Sequence, residues 1–430
     1  HFGSSGSGCS CHRHTMLWGT CSAPVCRPGC GVVANQSTDT VRIDFPDLQR
    51  KTESIVKAGR VAPEVAPDKA VRHRHKLGEQ KAEEAREKAG PGGAVLAQIK
   101  EAARGWLEHL GDIALEYPYD DLAKATNNFS KDECLGEGGA GAVFRGKLWG
   151  GTEVAVKVLL DRGGCEGFED EVRVLSKFRH PNLVTLLGWG QRGNKKYIVY
   201  ECLDGGDVQG RLKKSRQGTL PFTWQERLHV AFGAATGLSH MVNSQPKAFH
   251  RDIKPPNILL DATGNAKMAD FGLAAVVHRG DEDEGGDHFA VEHVSGTPGY
   301  TCSTYVQTRR VTEQSDMYSF GIVLLELLLN KPPALCTAAG DMVFPLLETV
   351  QPAGAGAHSR ILANLEPAAN WPLHIVEELA DLALACVDLR PERRPPFESV
   401  ARTLQRLKRT QVDAGRAPPP PPPPAVGARG

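Results

Sequence analysis

The 430-residue chain has no apolar run near the roughly 18 uninterrupted residues that a membrane-spanning helix needs, and its first residues lack the basic-then-apolar order of a secretory leader. It also lacks net charge, since 51 Lys and Arg balance 51 Asp and Glu. Without a global field to gather polyanions, nucleic acid and acidic membranes are excluded as bulk partners, and recognition has to be local. Paired C-x-x-C spacing is missing too. Cys9, Cys11, Cys21, Cys26 and Cys30 give Cys-x-Cys and Cys-x4-Cys-x3-Cys, with His12 and His14 between. That spacing fits common zinc sites poorly, so metal binding ranks behind a plain unstructured end. The other six cysteines are scattered among apolar positions, as small buried hydrophobes are in a reducing compartment. The expectation is a cytoplasmic protein; because the chain begins at His1, membrane association through an upstream segment is the alternative.

Composition divides the rest. Residues 1–40 are rich in Gly, Ser and Cys without periodicity and read as disordered. Residues 41–116 form a charged, partly helical extension. In it, Leu96, Ile99, Ala103, Trp106, Leu107 and Leu110 recur at helical spacing, which predicts an amphipathic helix packed on its own domain. Residues 411–430 form a disordered proline-rich tail. Pro418 to Pro424 must adopt polyproline II, as a spacer first and an SH3 or WW ligand second.

The dense pattern lies at 117–410. "CLGEGGAGAVFRGKL" sets Gly136, Glu137, Gly138, Gly139, Ala140, Gly141 and Val143 in G-x-G-x-x-G-x-V. The same glycines open dinucleotide folds, but those need a helix next. Here the pattern offers a returning strand, a Gly-Gly hairpin and a third strand ending at Lys157. Such a hairpin lets backbone amides approach phosphates, and a lysine on the next strand can reach the same phosphates. Further on, "HRDIKPPNILL" puts Asp252, Lys254 and Asn257 directly before a short apolar strand. An isolated Asp there is usually a solvated turn residue; charges at the mouth of a buried strand otherwise need a use.

These residues together resemble the protein kinase family. "VAVK" carries Lys157, Glu171 follows fourteen residues later in a helical stretch, "HRDIKPPN" matches H-R-D-x-x-x-x-N, and Asp270 opens "DFG" thirteen residues after Asn257. The resemblance implies an α+β, two-lobed kinase fold: a small lobe with an antiparallel sheet and one main helix, a larger helical lobe, and ATP in the cleft. It implies that Lys157, braced by Glu171, contacts the α- and β-phosphates, and that Asn257 and Asp270 ligate Mg²⁺, with Mn²⁺ as a substitute. Asp252 would accept the proton of the incoming hydroxyl, and Lys254 would neutralise the transferred group. That lysine and "SGTPGY" with Thr297 look like the serine/threonine type, acting on protein substrates in signalling. The alternative is a pseudokinase scaffold that binds ATP or partners with little catalysis.

Longer stretches, among them "YPYDDLAKATNNFSKDECLGEGG", "RHPNLVTLLGWG" and "TEQSDMYSFGIVLLELL", resemble receptor-like and Pelle-type kinases. By that resemblance Tyr200 is the gatekeeper and Glu201, Cys202 and Leu203 form the hinge. Val143, Ala155 and Leu259 would sandwich adenine, Asp207 would border the nucleotide, and Asp316 would brace the catalytic loop. Some positions depart from the pattern. Ala140 replaces an aromatic at the loop tip, so the γ-phosphate would be less covered, and Pro256 replaces a frequent serine. The acidic "RGDEDEGGDHF" reads as a solvated stretch. Arg251 before Asp252 suggests activation-loop phosphorylation, with Ser295 and Thr297 the nearest acceptors, unless Thr297 instead bonds Asp252 and Lys254. Thr304 stands where the family has a glutamate paired to the arginine that matches Arg394, so partial compensation around Arg394 is expected.

Overall fold

The structure, a computed structural model, describes residues 41–42, 110, 113–138, 141–159, 167–277, 288–337, 340–351 and 356–414. Gly139, Ala140, the N-terminal cysteines, the proline tail and all of the expected amphipathic helix but Leu110 lie outside them.

Strands β1 (Cys134–Gly138), β2 (Gly141–Lys147), β3 (Glu153–Leu159), β4 (Leu186–Arg192) and β5 (Lys195–Glu201) form one antiparallel sheet in the order β1-β2-β3-β5-β4. The expected Gly-Gly turn joins β2 to β3: Gly150 and Gly151 take φ of +89° and +86°, a conformation that L side chains resist. Alternation along β3 gives the sheet two different faces. Val154 and Val156 point to helix α1 (Tyr119–Ala125), where Leu122 is fully buried and the Phe129 and Tyr197 rings stack at 5.4 Å. Burying a leucine side chain is worth about 1.5–3 kcal/mol, so α1 is an integral cover of the sheet. Ala155 and Lys157 point the other way, toward the cleft and helix α2 (Phe168–Lys177). That helix buries Phe168, Glu171, Val172 and Leu175, which recur on one helical face.

Beyond β5 the chain is mainly helical. It comprises α3 (Val208–Arg216), α4 (Trp224–Asn243), α5 (Ser303–Thr308), α6 (Glu313–Leu329), α7 (Pro345–Val350), α8 (Ala357–Ala363), α9 (Leu373–Cys386) and α10 (Phe397–Ala414). Capping boxes start α4, at Thr223 and Glu226, and α6, at Thr312 and Ser315. Helix α6 is buried continuously from Ser315 to Leu329, so it is the axis around which the lobe packs. A short hairpin follows Asn257, β6 (Ile258–Leu260) with β7 (Ala266–Met268), and farther along the chain β8 (His288–Ala290) pairs antiparallel with the more distant β9 (Arg310–Thr312). The apolar run after Asn257 is thus the expected short strand. Val41–Arg42 pairs antiparallel with Ser295–Gly296. No helix among the described residues is long and apolar enough to cross a membrane.

Candidate active site

Cross-strand register assembles the small-lobe side. Val143 lies opposite Lys157, and Ala155 opposite Tyr200, so all four share the cleft face. Gly138 pairs with Gly141 to close the β1–β2 hairpin. At Gly141, with φ +143°, a Cβ would sit 2.0 Å from the Val158 carbonyl oxygen, so only glycine fits. At Gly136 and Gly138 a Cβ would meet nothing within 4 Å, which leaves that backbone open to a ligand. Glu137 between them is exposed.

The Lys157 ammonium is buried between two carboxylates, 2.9 Å from Glu171 Oε2 and 2.6 Å from Asp270 Oδ1. Burial opposes its charge, but Asp270 and Glu171 outweigh that and hold its pKa above the ordinary lysine value. For Asp270, burial pushes the carboxyl up and Lys157 pulls it below the usual range. Glu171 is fixed by more than the lysine. Its Oε1 accepts from the Tyr200 hydroxyl at 2.6 Å and from Phe271 N at 3.1 Å. Tyr200, expected to be the gatekeeper, is therefore a hydrogen-bond donor to Glu171, a contact the sequence does not signal.

On the large-lobe side, Asp252 is 4% exposed and receives three side chains. Oδ1 accepts from Thr297 Oγ1 at 2.7 Å, and Oδ2 lies 2.9 Å from Lys254 Nζ and 3.1 Å from Asn257 Nδ2. Lys254 also donates to Thr297 Oγ1 at 2.9 Å. Thr297 thus takes the bridging alternative. Asn257 Nδ2 donates to the Asp252 carbonyl as well, at 2.8 Å. A carboxylate and an amide oxygen suit a hard cation, so Asp270 and Asn257 are fit donors for a divalent metal.

The catalytic-loop backbone is strained and braced. Arg251 and Asp270 take φ of +69° and +61°, costly for residues with side chains. Asp316, near the start of α6, accepts from His250 N at 2.6 Å and Arg251 N at 3.0 Å, the bracing role expected of it. Burial pushes its carboxyl up, against the pull of His250 and these amides.

In the stretch expected to form the hinge, Glu201 Oε1 accepts from Thr185 N at 2.8 Å and meets Lys267 Nζ at 2.9 Å. Cys202 and Leu203 are half-buried, and Asp207 caps α3 through Gly210 N and bridges to Leu259 on the cleft floor. Beside Cys202, Glu153 and Asp204 are spanned by the Arg145 guanidinium at 3.3 and 2.8 Å, so a cation already fills that acidic cluster.

Comparison with known proteins agrees with this geometry. The protein kinase domain matches residues 129–404. The chain is similar to the probable serine/threonine-protein kinase PBL2 of Arabidopsis thaliana, 36% identical over 321 residues, which cover 70% of this chain and 74% of that one. It is similar to the probable serine/threonine-protein kinase PBL3 of the same plant, 36% identical over 313 residues, 70% of this chain and 71% of that one. A probable receptor-like protein kinase of Arabidopsis is 36% identical over 289 residues, 66% of this chain; the chain spans 58% of that protein's length. The chain belongs to the protein kinase family and is a serine/threonine kinase of the receptor-like kind.

Proposed function

We propose that the cleft moves the γ-phosphoryl group of ATP to a serine or threonine hydroxyl with Asp252 as base. The carrying observation is the Asp252 carboxylate itself, buried yet held on three sides by Thr297, Lys254 and Asn257. Asp252 accepts a hydrogen bond from the substrate hydroxyl and takes its proton while the oxygen bonds to the γ-phosphorus. The bond to the β–γ bridging oxygen breaks, and ADP leaves. Lys157 meets the α- and β-phosphate oxygens, and Lys254 stays beside the transferred group. Asn257 and Asp270 hold Mg²⁺, which Mn²⁺ can replace at the same oxygen donors; the metal, when bound, neutralises charge on the phosphates. Val143, Ala155 and Leu259 cover adenine, whose edge meets the backbone of Glu201 to Leu203.

The phosphotransfer domain is proposed to span 117–410, flanked by an N-terminal segment (1–40), a charged extension (41–116) and a tail (411–430) that serves as a spacer or an SH3 or WW ligand. The cytoplasm is the proposed place of action. It is supported by Cys134, Cys202, Cys302, Cys336 and Cys386, all free thiols.

The test is Asp252→Asn in the full chain with a peptide library and Mg²⁺-ATP. Phosphotransfer should fall by about 10² or more, the scale of losing a positioned base, while ATP affinity stays within about twofold. Activity equal to wild type would remove Asp252 from the mechanism.

A further inference from the structure

Arg251 adjoins Asp252, and neutral oxygens of this chain hold its guanidinium. Nη1 donates to the Leu273 carbonyl at 3.0 Å, and Nη2 to the Tyr305 hydroxyl at 3.1 Å. Its Nε has no partner among the described residues. The Tyr305 hydroxyl is used to capacity: it also accepts from Ser295 N at 3.2 Å and donates to Ser295 O at 3.3 Å, which fills two lone pairs and one proton. Tyr305 is 5% exposed, so these bonds are sheltered from water. One hydroxyl therefore joins the catalytic loop, the substrate loop and α5.

A phosphate is the usual way to order a segment against such an arginine. Here the chain offers few places to put one. From Phe271 to Val294 the sequence holds no serine, threonine or tyrosine. Ser295 and Thr297 are 8% and 5% exposed, and the Thr297 hydroxyl already bridges Asp252 and Lys254. On its other side the segment is pinned by the β8–β9 pairing, with Phe289 opposite Val311.

We infer that Tyr305 is a positioning residue for phosphoryl transfer, its hydroxyl holding Arg251, and through it Asp252, where a loop phosphate would otherwise be needed. The inference rests on the base role of Asp252 proposed above. The described part of the segment, from His288 to Thr297, is then set by folding and needs no modifying kinase.

The test uses the full chain, treated with a protein phosphatase until mass spectrometry finds Ser295 and Thr297 unmodified. Steady-state kinetics with Mg²⁺-ATP and peptide are run well below each variant's melting temperature, so that all are folded. Phosphatase treatment should leave kcat within about twofold. Tyr305→Phe, which keeps the ring, should lower kcat by roughly tenfold, as loss of a hydrogen bond to a charged group does, with KM for ATP unchanged. In an Arg251→Ala background the same substitution should cost almost nothing. Three results overturn the inference: activity lost on dephosphorylation, a Tyr305→Phe enzyme equal to wild type, or an undiminished cost in the Arg251→Ala background, which would route the effect through Ser295. An active Asp252→Asn enzyme would instead refute the base assignment, so the two failures are distinct.

Discussion

Lys157 Nζ lies 2.6 Å from Asp270 Oδ1, closer than the 2.9 Å to Glu171 Oε2, so one buried ammonium joins a carboxylate of each lobe. Lys157→Met keeps the stem and removes the charge. It should lower phosphotransfer by about 10² or more. It should also lower the melting temperature, because Glu171, 1% exposed, loses its cation. A Lys157→Met protein that melts like wild type would show that Tyr200 and Phe271 alone satisfy Glu171.

Thr297 should tolerate serine and nothing else. Its Oγ1 donates to Asp252 and accepts from Lys254, so Thr297→Ser retains the bridge. Thr297→Ala should lose roughly tenfold or more in kcat. Thr297→Glu should be no better, because its carboxylate would face Asp252. A Thr297→Glu enzyme more active than Thr297→Ala would instead mark the position as one that phosphate activates.

Lys157, Glu171, Asp252, Asn257 and Asp270 were singled out in the sequence through their resemblance to kinase motifs, each a short stretch with its own spacing, and the structure brings Lys157 together with Glu171 and Asp270, and Asp252 with Asn257. The strands of the small lobe were legible through alternation and the Gly-Gly turn. The supports around the site were not. Tyr200 to Glu171 spans 29 residues, Arg251 to Tyr305 spans 54, and the buried Arg227 to Glu366 spans 139. Each depends on how the helices and loops pack, and a tyrosine hydroxyl or a surface-type arginine carries no sequence mark of the partner it will find.

Glu326 on α6 should make stability depend on pH. Burial pushes its carboxyl up to about 8, against the opposing pull of the Tyr300 hydroxyl at 2.5 Å and Arg216. Its ordinary value is 4.5. The folded state therefore holds this proton more tightly than the unfolded chain. The stability it contributes is complete below pH 4.5 and is lost as pH rises through 8. Glu326→Gln mimics the protonated form and still accepts from Tyr300. The melting temperatures of variant and wild type should nearly coincide at about pH 5, with the variant ahead by several degrees above about pH 8. A gap that does not grow with pH would mean that Glu326 does not titrate in this range.

Arg394 tests the cost of the threonine at 304. The arginine is 4% exposed and has found substitutes for a carboxylate. Nε donates to the Asp388 carbonyl at 2.8 Å, Nη1 donates to the Gln314 carbonyl at 2.7 Å, and the guanidinium lies over the Tyr318 ring at 5.1 Å. Burial, and to a lesser extent Cys302, push the Tyr318 hydroxyl up to about 12, while Arg394 pulls it down. Breaking a buried ion pair commonly costs about 3–5 kcal/mol because the remaining ion is left bare. Two carbonyl dipoles and an aromatic face offset part of that, since they satisfy two of the guanidinium's donors and face its plane without neutralising its charge. Thr304→Glu should therefore recover only about 1 kcal/mol, raising the melting temperature by about 2–4 °C, with kcat unchanged. Scanning calorimetry decides it: an unchanged or lower melting temperature would show that the carbonyls and Tyr318 already meet the whole demand of Arg394, and that threonine at 304 costs the fold nothing.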